Sequence, residues 1–205
     1  MLREVTARQF KLHFPTDPHP FISVQFLEMN GYKVDRIVRL VRETDKASAG
    51  LVAGIKDGIL KSPFSAPFGG FHFKNDSVYI SEIDDFLLEL KEYAKNNQIS
   101  QINITLPPSI YGQSTNAKTV SSFIRSGYKM SMPEITNWVD LSAFNGRFSH
   151  RNSREYYQQA VRNKLYFRFL DHQDGKQSAY DLIVENRSRF GRPIHMTFSD
   201  IIKVN

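Results

Sequence analysis

The sequence predicts an α/β fold in which a mixed, largely antiparallel sheet is flanked by helices. Three observations carry that expectation. Strand-like segments at 34–43, 50–55 and 59–64 follow one another with short connections, which reads as an antiparallel meander. A long amphipathic segment at 81–97 comes next, and an alternating apolar segment at 101–106 follows it directly. A strand, a long helix and another strand in that order make a parallel crossover, so the sheet is mixed.

At the start of the chain, DPHP (17–20) breaks any regular element. In VDRIVRLVRE (34–43), Val34, Ile37, Val38 and Val41 also fit a helical stripe, but the β-branched content favours a strand. KDG (56–58) is the turn between the second and third strands. In SEIDDFLLELKEYAKNN, Ser81 reads as the N-cap with Asp84 three residues on, and Ile83, Phe86, Leu87, Leu90, Tyr93 and Ala94 form one stripe. Ile102, Ile104 and Leu106 alternate in the strand that follows, and Pro107–Pro108 stops it. A second helix is expected from about Thr115, carrying Val120, Phe123 and Ile124, with Gly127 at its C′ position. Residues 128–132 and 135–142 read as a strand pair bent at Pro133. Beyond them, 153–165 reads as a third helix, YFRFL (166–170) as a strand, and 178–190 as a fourth helix closed by Gly191 and Pro193. Thr197-Phe198-Ser199-Asp200 has the pattern of a capping box, followed by Ile201, Ile202 and Val204; this is the expected start of a further element.

The chain of 205 residues has 40% hydrophobic and 13% aromatic residues, enough for a packed core. No apolar run approaches a membrane span, and MLREVTARQFKLHF has charges scattered where a secretory signal needs an apolar stretch. There are no cysteines, which rules out disulfides and thiolate-ligated metals and suits the cytoplasm. The net charge of +6 is uneven: residues 1–100 hold 13 basic and 13 acidic residues, and 145–192 hold 10 basic against 5 acidic. Such a local excess suits either a solvated basic face or an anionic partner. Within it Arg147, Arg151, Arg154 and Arg162, with Lys164 and Arg168, are interleaved with Tyr156, Tyr157, Tyr166 and Phe167. Phosphates need cations and bases need π-faces, so a nucleic acid such as tRNA is one partner this mixture fits.

SPFSAPFGGF (62–71) is the densest punctuation in the chain. Pro63 and Pro67 fix φ, Gly69 and Gly70 admit close backbone approach, and Phe64, Phe68 and Phe71 offer large buried area. Two readings stay open. One is a stiff aromatic corner between strands. The other is the wall of a substrate cleft lined by Ser62, Ser65, Phe68 and Phe71, with Trp138 from a later strand. The six histidines form neither HxxxH nor HxH, so a metal site is not expected, and no G-x-S-x-G elbow is present. Glu134, Tyr111 and Tyr128 are candidates for a general base, each with an ordinary surface or core role as the plainer reading.

The strand–helix alternation up to residue 142 resembles a GNAT (acyl-CoA N-acyltransferase) domain. The segment after it resembles the connection in tandem-GNAT proteins, including the Fem-type aminoacyltransferases. The matching residues are Arg154, Ala160 and Leu165 in R-x-x-x-x-x-A-x-x-x-x-L, the strand YFRFL, and Asn186 to Pro193 in N-R-x-R-x-G-x-P. SPFSAPFGGF is similar to a stretch seen in GNAT-like proteins of this type. The resemblance spans 34–205 and implies a domain over 1–145 and a connection over 146–205 leading toward a second GNAT-like half. It implies transfer of an acyl or aminoacyl group to an amine, with this chain as the acceptor or scaffold half and a second half or another copy as partner. Acetyl-CoA or another acyl-CoA would serve the complete protein.

A GNAT domain holds the CoA diphosphate with a [QR]-x-x-G-x-[GA] loop at a helix N-terminus. The corresponding stretch here, 65–82, keeps only Gly69 and Gly70, with neither the spaced glycines nor the leading Gln or Arg. Glu82, Asp84 and Asp85 place negative charge where a diphosphate needs the opposite. This chain is therefore expected to bind no acyl carrier unaided. The alternative function is a non-catalytic module that recognises an anionic partner through 147–168.

Overall fold

The computed structural model describes residues 1–43 and 48–203. These divide into two compact units, Met1–Ile135 and Thr136–Asn205.

The first unit is α/β, with a mixed sheet of six strands flanked by helices. It opens with β1 (Arg3–Glu4), α1 (Ala7–His13) and α2 (Val24–Met29). The Thr6 hydroxyl accepts from the Gln9 amide and the Gln9 side chain accepts from the Thr6 amide, a reciprocal cap that starts α1. Ser23 caps α2 by accepting from the Phe26 amide. The meander is β2 (Arg36–Glu43), β3 (Ser48–Lys56) and β4 (Ile59–Ser62), all antiparallel, with Asp57 and Gly58 at positive φ in the turn. A short strand, β5 (Phe71–Phe73), returns to pair with β3. Helix α3 (Ile80–Asn96) crosses over to β6 (Gln101–Ile104), which lies parallel to β4. Helix α4 (Gln113–Arg125) completes the unit, and Gly127 has a φ of 75° just past its end.

Strand alternation divides the core between two faces. Val38, Leu40, Leu51, Ala53 and Leu60 join Ile83, Phe86, Leu87 and Leu90 of α3 in one cluster. The intervening Val41 and Val52 join Phe10 of α1, Phe14 at its C-cap and Leu27 of α2 in another. Arg42 ties β2 to α3 by donating to Glu89 at 3.1 Å and Asp85 at 2.8 Å.

In several places the structure departs from the sequence reading. The N-cap of α3 is Tyr79, not Ser81: the Glu82 carboxylate accepts from the Tyr79 amide at 3.0 Å, so the capping carboxylate sits two residues earlier than Asp84. The buried face of α4 is Thr115, Thr119 and Ser122, while Ile124 is exposed. Thr119 returns its hydroxyl proton to the Thr115 carbonyl at 2.8 Å, which lets small polar residues pack without an unmet donor. Residues 128–132, 135–142 and 166–170 form no strands; they are apolar and extended in pattern but pair with no sheet edge.

The second unit contains α5 (Arg151–Arg162), α6 (Gln173–Arg189) and α7 (Phe198–Lys203). The capping box forms: the Asp200 carboxylate accepts from the Thr197 amide at 2.9 Å, and the Thr197 hydroxyl accepts from the Asp200 amide at 3.2 Å. Val204, expected to continue this turn, lies outside the described residues. Among the described residues of this unit only Gly175 is buried. No helix among the described residues is long and apolar enough to cross a membrane.

Gly50 gives a test of the packing between β3 and α1. A Cβ there would stand 2.4 Å from Phe14 Cε2 and 2.9 Å from Phe10 Cε2. Gly50→Ala is expected to lower stability by about 1–3 kcal/mol, read as a lower urea midpoint with an unchanged slope; an unchanged midpoint contradicts this packing.

Candidate functional site

The parallel pair β4–β6 ends at Ser62 and Ile104, and the chain between Ser62 and Phe71 turns back across its mouth. Four hydrogen bonds lock this excursion. The Thr105 amide donates to the Ser62 carbonyl at 2.8 Å, and the Gly69 amide donates to the Thr105 carbonyl at 2.8 Å. Ser62 Oγ donates to the Val52 carbonyl at 2.9 Å and accepts from the Gly70 amide at 3.3 Å. A Cβ on Gly69 would fall 2.6 Å from Pro63 N, so the crossing of the two backbones requires a glycine. Both glycine amides are thus engaged inside the fold.

The phenylalanines of 62–71 spread in three directions. Phe64 packs with the α1–α2 cluster and Phe71 with the α3 cluster, its ring 5.3 Å from Phe86. Phe68 meets Phe21 at 5.1 Å, His19 at 4.9 Å and Tyr111 at 5.3 Å. Ser65 donates to Asn30 Oδ1 at 2.8 Å and accepts from Lys33 at 2.6 Å. The segment therefore works as a rivet between layers, and Ser62, Ser65, Phe68 and Phe71 point to different surroundings. Trp138 belongs to the second unit and is 61% exposed.

A pocket of about 80 Å³ lies between β5, the chain leaving β6 and the first turns of α4. Phe71, Phe73, Leu106, Pro107 and Pro18 supply its apolar wall. His19, Asp76, Tyr111, Thr115, Asn116 and Thr119 supply the polar part. Of the residues expected at a cleft, only Phe71 lines it, joined by the nominated Tyr111.

Two buried histidines stand behind this region. The His19 Nε2–H donates to the Gly69 carbonyl at 3.2 Å, and the His72 Nε2–H donates to Asp17 Oδ1 at 3.3 Å. Both partners are pure acceptors, so both rings carry their proton on Nε2. Nδ1 is then a bare lone pair, and in both rings it is buried without a partner. Lys11 Nζ completes the group, 2.5 Å from the other Asp17 oxygen. Phe10 and Phe14 pack on His72 with ring centroids at 4.9 and 5.5 Å. Burial pushes both histidine pKa values down: for His19 against the Gly69 hydrogen bond, for His72 against the Asp17 carboxylate. Burial also acts to raise the Asp17 carboxyl, but hydrogen bonds from His72 and Lys11 outweigh it and hold the pKa below the usual range.

Sequence spacing hid this group, since Asp17 and His72 are 55 residues apart. The reciprocal Thr6–Gln9 cap and the i,i+4 pair Phe10–Phe14 are the local signals that announce α1 and, through it, a roof over His72. Tyr128 is unsuited as a base: burial pushes its hydroxyl up to about 12, and that hydroxyl has no partner. Glu134 is exposed. Among the described residues, no group of three or more His, Asp or Glu is placed to hold a metal ion.

Because the folded pKa values of His19 and His72 are lowered, the unfolded chain takes up more protons on acidification. Stability is therefore full above the ordinary histidine pKa of about 6.5 and falls as the pH drops below it. The urea midpoint should be lower at pH 5.5 than at pH 7.5, and His72→Gln, which keeps a donor for Asp17, should flatten the difference. Equal midpoints for the parent chain contradict the neutral assignment.

No family model matches this sequence, and neither a curated protein nor a solved structure matches it.

Proposed function

We propose that this chain is the acceptor-side, scaffold half of an N-acyltransferase of the GNAT/Fem type, completed by a second GNAT-like half. The reaction is transfer of an acyl group from an acyl-CoA, or an aminoacyl group from tRNA, to an amine. One observation carries the reading: a parallel crossover, β4–α3–β6, opens on a pocket at its C-terminal edge, while the N-terminus of the crossover helix is filled from within. Open α/β sheets bind ligands outside the carboxyl ends of their strands. The Glu82 carboxylate caps α3, and the Gly69 and Gly70 amides are engaged by Thr105 and Ser62. Neither group is free to hold a diphosphate, which supports assigning the donor to the other half.

Labelled acetyl-CoA and aminoacyl-tRNA, each offered with a panel of amines, test this. The measurement compares this chain alone with the full reading frame that contains it. The reading expects transfer by the complete polypeptide and only background by residues 1–205. Transfer by this chain alone overturns the scaffold assignment, and absence of transfer by the complete polypeptide with either donor overturns the activity.

A second reading is favoured by the surface of α5. Arg151, Arg154 and Arg162 share one face of that helix, and Tyr156, Tyr157, Tyr166 and Phe167 are all more than half exposed. The Arg151 Nε–Glu155 contact at 2.8 Å takes up part of this charge, and Arg147 stands just before the helix. These residues suit an anionic polymer such as tRNA. Retention on heparin should fall steeply with salt and fall further in Arg154→Ala/Arg162→Ala; retention indifferent to salt removes this reading.

A further inference from the structure

The pocket beside β5 has an unusual donor account. Its polar side chains have already given their protons away. Thr115 Oγ1 donates to the Gly112 carbonyl at 3.1 Å, and Thr119 Oγ1 donates to the Thr115 carbonyl at 2.8 Å. The Asn116 amide group donates to the Pro107 and Pro108 carbonyls at 3.0 and 3.1 Å, which leaves its Oδ1 as the unengaged end. The His19 Nε2–H is committed to Gly69, so this ring offers the pocket no donor, and its Nδ1 is buried. Asp76 contributes a carboxylate that no described cation pairs with. Lys118 is nearby, but its ammonium donates to the Asp76 and Val78 main-chain carbonyls at 3.3 and 3.0 Å and does not line the pocket. Tyr111 alone keeps an uncommitted donor. No lysine or arginine lines the pocket, and Phe71, Phe73 and Tyr111 add π-faces.

A pocket of acceptors, one carboxylate and aromatic walls is complementary to a ligand that is all donors and positively charged. We propose that this pocket binds the protonated amino end of a slender alkylamine. A volume of about 80 Å³ admits an ammonium group and the first carbons of its chain. The same chemistry disfavours carboxylates and phosphates, which would face Asp76 and lone pairs. As the identity of the acyl acceptor, the inference rests on the transferase reading; as a binding site, it stands on the donor account alone.

The test is titration of the full chain with n-propylammonium, putrescine and, as the anionic match, propionate, followed by the backbone amide resonances of Thr115, Asn116 and Thr119. The amines are expected to shift these resonances saturably, with dissociation constants in the millimolar range or tighter. Propionate is expected to leave them unmoved. Asp76 is exposed, so Asp76→Asn should fold normally and weaken amine binding by about tenfold, the loss of one charge-assisted hydrogen bond. Unsaturable shifts, an equal or larger response to propionate, or undiminished binding by Asp76→Asn would each overturn the site. Amine binding without any acyl transfer by the complete polypeptide leaves this site standing and removes only the transferase reading. Transfer without amine binding here does the reverse.

Discussion

The organisation of the first unit depends on the closure where β4 and β6 end. Ser62, Gly69 and Thr105 exchange main-chain hydrogen bonds at 2.8 Å, and the Ser62 hydroxyl bridges from the Gly70 amide to the Val52 carbonyl. This closure turns eight residues out of the sheet and brings the chain back as β5 on the same strand, β3. It also aims Phe64, Phe68 and Phe71 at three different neighbours, so one short segment pins both helix layers to the sheet. The backbones approach so closely that only glycine fits at 69. The Gly-Gly pair thus serves packing, and its amides have no spare capacity for an anion.

That closure also positions the pocket. The gap beside β5 is bounded by Leu106 and Pro107 as the chain leaves β6 and by the first turns of α4. His19 reaches the closure by bonding to Gly69, and His72, on β5, reaches Asp17 two residues before His19. The N-terminal segment is thereby latched to the mouth of the sheet by two neutral imidazoles. A buried, neutral histidine with an unmatched lone pair is costly to protonate, which makes the same latch sensitive to acid.

Much of the sheet was legible because β2, β3, β4 and β6 are runs of β-branched and alternating residues between clear turns. Helix α3 was legible from its stripe, although Ser81 misled as a cap because Tyr79 offers no side-chain signal of its own and Glu82 supplies the carboxylate. Helices α1 and α2 were hidden by their length, seven and six residues, too short for a periodic pattern to stand out. Strand β5 has three residues and owes its existence to pairing with Ala49 to Leu51 rather than to local preference. At 128–142 and 166–170 the apolar pattern is real, but a strand also needs an edge to pair with, and periodicity says nothing about the partner. Site residues divided along the same line. Phe71 and Tyr111 were legible as aromatics next to turn signals. His19, Asp76, Thr115, Asn116 and Thr119 acquire meaning only from where their protons go, which is a property of three-dimensional contacts.

A sheet whose open edge is closed by its own amides can offer acceptors to a cation far more readily than donors to a diphosphate, and this contrast unites the glycine closure with the pocket chemistry. Amide hydrogen exchange tests it most directly. The amides of Gly69 and Thr105 should be protected to the same degree as those of Leu51 and Ala53 in β3, and saturating acetyl-CoA should not alter them. Exchange at Gly69 as fast as in the exposed loop at Asn75, or fresh protection of Gly69 and Gly70 on adding acetyl-CoA, would contradict the account.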